Sequence, residues 1–197
     1  AMQSRAAGEQ IYTSCVAELG DVPADLVARF TAIDRVLAVV PERARISGTM
    51  VGCTALRFHG ARITGAHVGR GRARVLRAGA AQLEELVVPH YLHTLGDRVP
   101  GLAGLDPATL PRDVLCNGLG ALASGGIGID GFETVLEPDD RLVVSSSDLG
   151  FPDDELVVLL RGHAPLREIE QRLAQQFAEP DYRVHPSDVG LALLVRR

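Results

Sequence analysis

The sequence predicts an α+β fold in a single domain spanning residues 1–197. Three observations predict it. Helical periodicity fills the N-terminal part, short strands at hairpin spacing fill the middle, and an apolar run closes the chain. Helices segregated from hairpins, rather than alternating with strands, argue for α+β over a parallel α/β sheet.

From Ala6 to Leu19, apolar residues fall at Ile11, Cys15 and Leu19, one helical turn apart, and Gly20 closes the segment. Asp21 is placed to N-cap a second helix, with Pro23 in its first turn, where a missing N–H costs nothing. Leu26, Phe30, Ile33, Leu37 and Val40 then make the clearest amphipathic face in the chain, ended by Pro41. Thr54–Phe58 and Arg62–Val68 read as strands joined by His59-Gly60-Ala61, a hairpin signal. Arg72–Leu76 gives a third strand and Leu83–Val88 a fourth. Pro89 to Pro111 is loop or short helix, punctuated by Gly96, Pro100, Gly101, Gly104 and Pro107. A Gly- and Ala-rich stretch runs from Val114 to Gly131. Phe132–Leu136 and Arg141–Ser145 flank the turn Glu137-Pro138-Asp139-Asp140. Asp153–Leu160 is a short helix, and Pro165 starts another with Leu166, Ile169, Leu173 and Phe177 on one face. Val189–Val195 is a final strand, apolar enough to be buried on both faces.

Composition narrows the function classes. Hydrophobic residues at 46% and charged residues at 23% describe a globular chain. Aromatic residues at 4%, with no Trp, require an aliphatic core. The formal charge of −5 argues against a nucleic-acid partner. No apolar run approaches the about 20 residues that span a bilayer. Ala1 to Leu19 lacks a basic segment followed by an apolar core, so no signal peptide is expected. Cys15, Cys53 and Cys116 are odd in number and form no CxxC, which favours free thiols in a reducing, cytoplasmic setting.

Four groups carry chemistry worth weighing. Gly118 to Gly128 is glycine-rich, but no Lys-Ser/Thr follows it, so a permissive loop is preferred over a phosphate cradle. His90 and His93 would share a helical face and offer two metal ligands, without a third at matching spacing. Arg70, Arg72 and Arg74 alternate, close to Arg57, Arg62 and Arg77. They make either an anion-binding patch or a solvated strand face with Glu partners, the latter preferred. Ser145-Ser146-Ser147-Asp148 follows a strand without a G-x-S-x-G elbow, so a polar strand end is preferred over a nucleophile.

In order along the chain, several segments resemble motifs of the protein phosphatase 2C-like (PPM-type, metal-dependent Ser/Thr phosphatase) family. Ala6-Ala7-Gly8-Glu9 resembles the family's AAGE stretch, and Gly48 to Leu56 its GMGTTLTAL strand. Ala66-His67-Val68-Gly69-Arg70-Gly71-Arg72-Ala73 lies over AHVGDSRA. Arg112 to Gly120 lies over RNVLTRALG, and Leu136 to Leu142 over LEPGDRL, which leads into CSDGL. Ser187-Asp188-Val189 sits where DNI opens the last strand.

The resemblance implies an αββα sandwich of two antiparallel sheets flanked by helices, here expected to lack the N-terminal strands. In active members, aspartates hold two Mg²⁺ or Mn²⁺ ions that activate a water against a phosphoserine or phosphothreonine. The family's DGMGG segment has no counterpart in this sequence. The Asp of GDSR is Arg70. The Asp of SDG is Ser147, with Asp148 one residue on, and the Asp of DN is Ser187, with Asp188 in place of Asn. Hard dications need carboxylate oxygens, and an arginine repels them.

The expectation is therefore no metal, no catalytic residue and no enzyme activity: a pseudophosphatase that binds a protein, such as a Ser/Thr kinase or a phosphoprotein, with Arg70 and Arg72 as the anion contacts. The alternatives are an active Mg²⁺/Mn²⁺-dependent phosphatase completed by upstream sequence or a partner, and an assembly module that homodimerises through an open sheet edge.

Overall fold

A computed structural model describes residues 25–39, 51–99, 101–120, 127–146, 149, 152–162, 167, 171–172, 175 and 191–196. The predicted helix Ala6–Leu19 and most of the segment from Pro165 lie outside them. The described elements are α1 (Leu26–Val39), β1 (Cys53–His59), β2 (Arg62–Val68), β3 (Arg72–Leu76), β4 (Leu83–Val87), the single turn α2 (Leu92–Leu95), β5 (Asp130–Val135), β6 (Arg141–Ser145), α3 (Asp153–Arg161) and β7 (Leu191–Val195). Short 3₁₀ turns occupy Gly96–Arg98 and Pro107–Thr109. The strands form two antiparallel sheets, one in the order β1-β2-β5 and the other β4-β3-β6-β7. The predicted α+β class holds. The described residues group into two compact units. One is drawn from Ala1–Arg57, Thr64–Arg70 and Pro89–Phe132, the other from Phe58–Ile63, Gly71–Val88 and Glu133–Arg197.

In the first unit, α1 lays its apolar stripe on the strands. Leu26, Phe30 and Ile33 are buried with Ala66, Val68 and Leu119, and Val27, Val51, Cys53, Ala55 and Ile129 fill the margin. Each fully buried side chain of this size contributes about 1.5–3 kcal/mol. The helix opens later than its Asp21 signal predicts. The Asp25 carboxylate accepts the Val27 N–H at 3.1 Å, satisfying a first-turn donor, and the helix runs from Leu26. Between β1 and β2 the chain reverses at Gly60, whose φ of +60° is the left-handed conformation such turns need. On β2, a Cβ added to Gly65 would lie 2.1 Å from the Phe132 ring, so the missing side chain makes room for that aromatic.

In the second unit, β3 is the spine. It pairs β4 on one side and β6 on the other, with Arg72 opposite Ser145 and Leu76 opposite Arg141. Leu76, Val143, Leu149, Leu156, Val157 and Leu160 form its core, with α3 supplying three of them from one face. Three acidic residues fill the first turn of α3 and Arg161 its last, matching the helix dipole. β7 differs from expectation. It pairs β6 at the end of the described strand order, and Ala192 is exposed while Leu193 and Leu194 are half-buried. Burial on both faces is not found among the described residues of this strand.

Candidate functional site

β2 ends at Val68, and Gly69 takes φ +100°, turning the chain toward β3. Only glycine fits this turn. A Cβ there would come 2.4 Å from the Gly52 Cα, so two backbones touch where a side chain would otherwise stand. Arg70 follows and is exposed on the turn.

Beneath the turn lies a buried polar network within the first unit. His67, the next-to-last residue of β2, and His90, just past β4, are both fully buried, with rings edge to face at 4.9 Å. His67 donates from Nε2 to the Gly69 carbonyl at 3.2 Å, and its Nδ1 lies 2.8 Å from the Thr54 hydroxyl. His90 brackets the same glycine. Its backbone N–H donates to the Gly69 carbonyl at 2.8 Å, while the Gly69 N–H donates to its Nδ1 at 3.3 Å. Asn117 adds a second N–H to that Nδ1 at 2.9 Å and another to the Gly128 carbonyl at 2.6 Å. With Nδ1 accepting, Nε2 carries the His90 proton and donates to Asp130 at 3.1 Å. Arg98 holds both Asp130 oxygens, at 2.8 and 3.0 Å.

The electrostatics follow from burial and pairing. Burial, with a smaller push from His90, lowers His67 to about 4, so it is neutral near pH 7. The hydrogen bond from His90, then Arg98, holds the Asp130 carboxyl well below the usual carboxylate range. Asp130 in turn raises Arg98, and burial pushes the Cys116 thiol up, so it is no activated nucleophile.

The predicted site residues fare differently. Arg70 stands on the turn just described. Arg72 is the half-buried first residue of β3, with its Nε 3.9 Å from Glu85. Ser147, Asp148, Ser187 and Asp188 lie outside the described residues. His90 and His93 do not converge. His90 faces Gly69 and Asp130, whereas His93 stacks on Tyr91 at 5.7 Å. The solvated-face reading of the arginines holds for Arg62, paired with Glu133, and Arg77, paired with Glu84. It fails for Arg74, which is buried and pairs with Asp153, in the first turn of α3, at 2.8 Å. In the glycine-rich stretch, the Gly120 N–H donates to the Asp34 carboxylate at 2.6 Å, a loop anchored by protein. Sequence analysis missed Asn117 and Asp130.

No family model matches the sequence, and neither does any curated protein. Solved structures do match in three dimensions. The serine/threonine phosphatase of S. agalactiae is 19% identical, with 96% of this chain and 80% of that one covered, at a TM-score of 0.71. A serine/threonine phosphatase of Staphylococcus aureus is 20% identical, covering 96% and 78%, at 0.70. The Mycobacterium tuberculosis serine/threonine phosphatase PstP/Ppp is 21% identical, covering 98% and 84%, at 0.68.

The fold is that of the protein phosphatase 2C-like proteins. The PstP catalytic domain has also been solved in complex with 2 manganese ions. In this phosphatase 2C-like chain, no group of three or more His, Cys, Asp or Glu among the described residues could hold a metal ion. The position resembling the GDSR aspartate presents an exposed guanidinium instead. Ser147, Asp148, Ser187 and Asp188, the other positions the resemblance marks, lie outside the described residues. Nor is any helix of the described residues long and apolar enough to cross a membrane.

Proposed function

We propose that this chain is a pseudophosphatase: a phosphatase 2C-like domain that binds a protein rather than hydrolysing phosphate esters. The observation that carries the reading is Arg70, exposed on the turn where the family places an acidic ligand. A guanidinium there opposes a dication but suits a phosphate or carboxylate, which it grips with two parallel N–H donors. The partner that fits is a phosphorylated protein or a Ser/Thr kinase. Arg72 is the weaker anion contact, since Glu85 already lies near its guanidinium.

The test joins two measurements. With Mn²⁺ and p-nitrophenyl phosphate the chain should neither turn over nor retain metal. Arg70→Ala should weaken binding of a phosphoserine peptide about tenfold, the worth of one charge-assisted contact. Unchanged peptide affinity would remove Arg70 from the binding surface. An active Mg²⁺/Mn²⁺-dependent phosphatase is the second reading, favoured because the structural neighbours are themselves named serine/threonine phosphatases. Manganese-dependent turnover abolished by Asp148→Ala would establish it in place of the first.

A further inference from the structure

We propose that His90 is a proton-operated latch for the Arg70 turn: a proton taken up at its Nδ1 removes the acceptor that two donors share and frees the Gly69 amide. The inference concerns how the turn is held and does not depend on what Arg70 binds.

The geometry makes the two states unequal in one place. In the neutral ring, Nδ1 accepts from the Gly69 N–H at 3.3 Å and from Asn117 Nδ2 at 2.9 Å. A proton on Nδ1 points at both donors, so neither bond survives. The protonated form has an acceptor close by. Asn117 Oδ1 is buried and without a hydrogen-bond partner, and turning the amide over would present it to the new N–H. That rotation gives up the bond from Asn117 to the Gly128 carbonyl and leaves the Gly69 N–H with no acceptor. The Gly69 carbonyl keeps its donors, so the turn is loosened at its amide and not torn from the fold.

His67 has the same ring and the opposite behaviour. Its Nδ1 faces the Thr54 hydroxyl, which donates to a bare nitrogen or accepts from a protonated one by rotating. A proton there leaves the Gly69 contacts in place. His67 also stays neutral well into acid, so its ring 4.9 Å away adds no repulsion when His90 charges. Asp130 on β5 accepts from Nε2 in both states. Arg98 counters part of that carboxylate's charge. The Cys116 thiol donates to the His90 carbonyl at 3.0 Å, and its raised pKa keeps it protonated.

Nuclear magnetic resonance of the full chain tests the latch. Ring nuclei of His90 and His67 and the amides of Gly69 and Leu142 are followed from about pH 7.5 to about pH 5. The Gly69 amide is expected to shift with the His90 midpoint, and its exchange, relative to Leu142, to speed up about tenfold. His90→Asn keeps an acceptor oxygen near the Nδ1 position and cannot titrate, so its Gly69 amide should stay flat. A Gly69 amide that ignores His90 titration, follows His67 instead, or still moves in His90→Asn overturns the proposal. So does a His90 ring that stays neutral until the whole chain unfolds. The wild-type comparison decides the matter even if His90→Asn fails to fold.

Discussion

Two tight turns in this molecule are held from below by buried polar side chains, and they use opposite chemistry. The Gly69 turn hangs on two histidines arranged as neutral donors and acceptors. The Pro138–Asp140 turn hangs on a charged carboxylate. Asp140 is buried, and its oxygens accept the N–H groups of Ala78 and Glu137 at 2.8 Å each and Arg77 at 3.0 Å. Burial alone would raise its pKa, but those amides and the guanidinium lower it. Arg77 is anchored too, by Glu84, Thr134 and the Val135 carbonyl. Holding His67 neutral costs stability once the unfolded chain begins to take up a proton, whereas the charged support resists acid until its carboxylate titrates.

The comparison can be broken at its strongest point. Asp140→Ala strips three bonds at once and leaves Arg77 and two amides facing a hole, so the loss should be about 3 kcal/mol by urea denaturation. A loss under about 1 kcal/mol would show that the turn is held by something other than the carboxylate. Next comes the pH dependence. Burial lowers His67 to about 4 in the folded chain, below the ordinary histidine value of 6.5. The unfolded chain takes up the proton first, so His67 costs about 2 kcal/mol of stability between roughly pH 7 and pH 5. Asp140 has its pKa lowered, so its contribution is lost only as pH falls below the unfolded carboxyl value of 3.8. A denaturant series at successive pH values should show two separate declines. A flat profile down to about pH 5 would contradict the neutral support. The smallest effect belongs to Arg98→Ala. It removes the bidentate contact to Asp130, but the arginine side chain is 41% exposed, so solvent screening limits the loss to about 1 kcal/mol.

Much of the scaffold was legible along the chain. Arg62–Val68, Arg72–Leu76 and Arg141–Ser145 appear where period-two alternation and turn residues put them. The support under the Gly69 turn was not. His90, Asn117 and Asp130 come from three separate segments, two of them in loops without periodicity, and only the tertiary fold joins them. Arg74 misled for a related reason. Alternation places it on a face, but only the tertiary fold brings Asp153 of α3 to it. The apolar run of β7 signalled a strand but not its place beside β6 in the sheet.

The contact between Gly69 and Gly52 has a consequence for how such a domain diversifies. The shape of the turn is set by two backbones in touch and by histidines below it, none of which consults the side chain at position 70. An acid or a base can occupy that position on the same frame. An exchange of one charge for the opposite one at position 70 can then change what the surface attracts without altering the contacts that shape the turn.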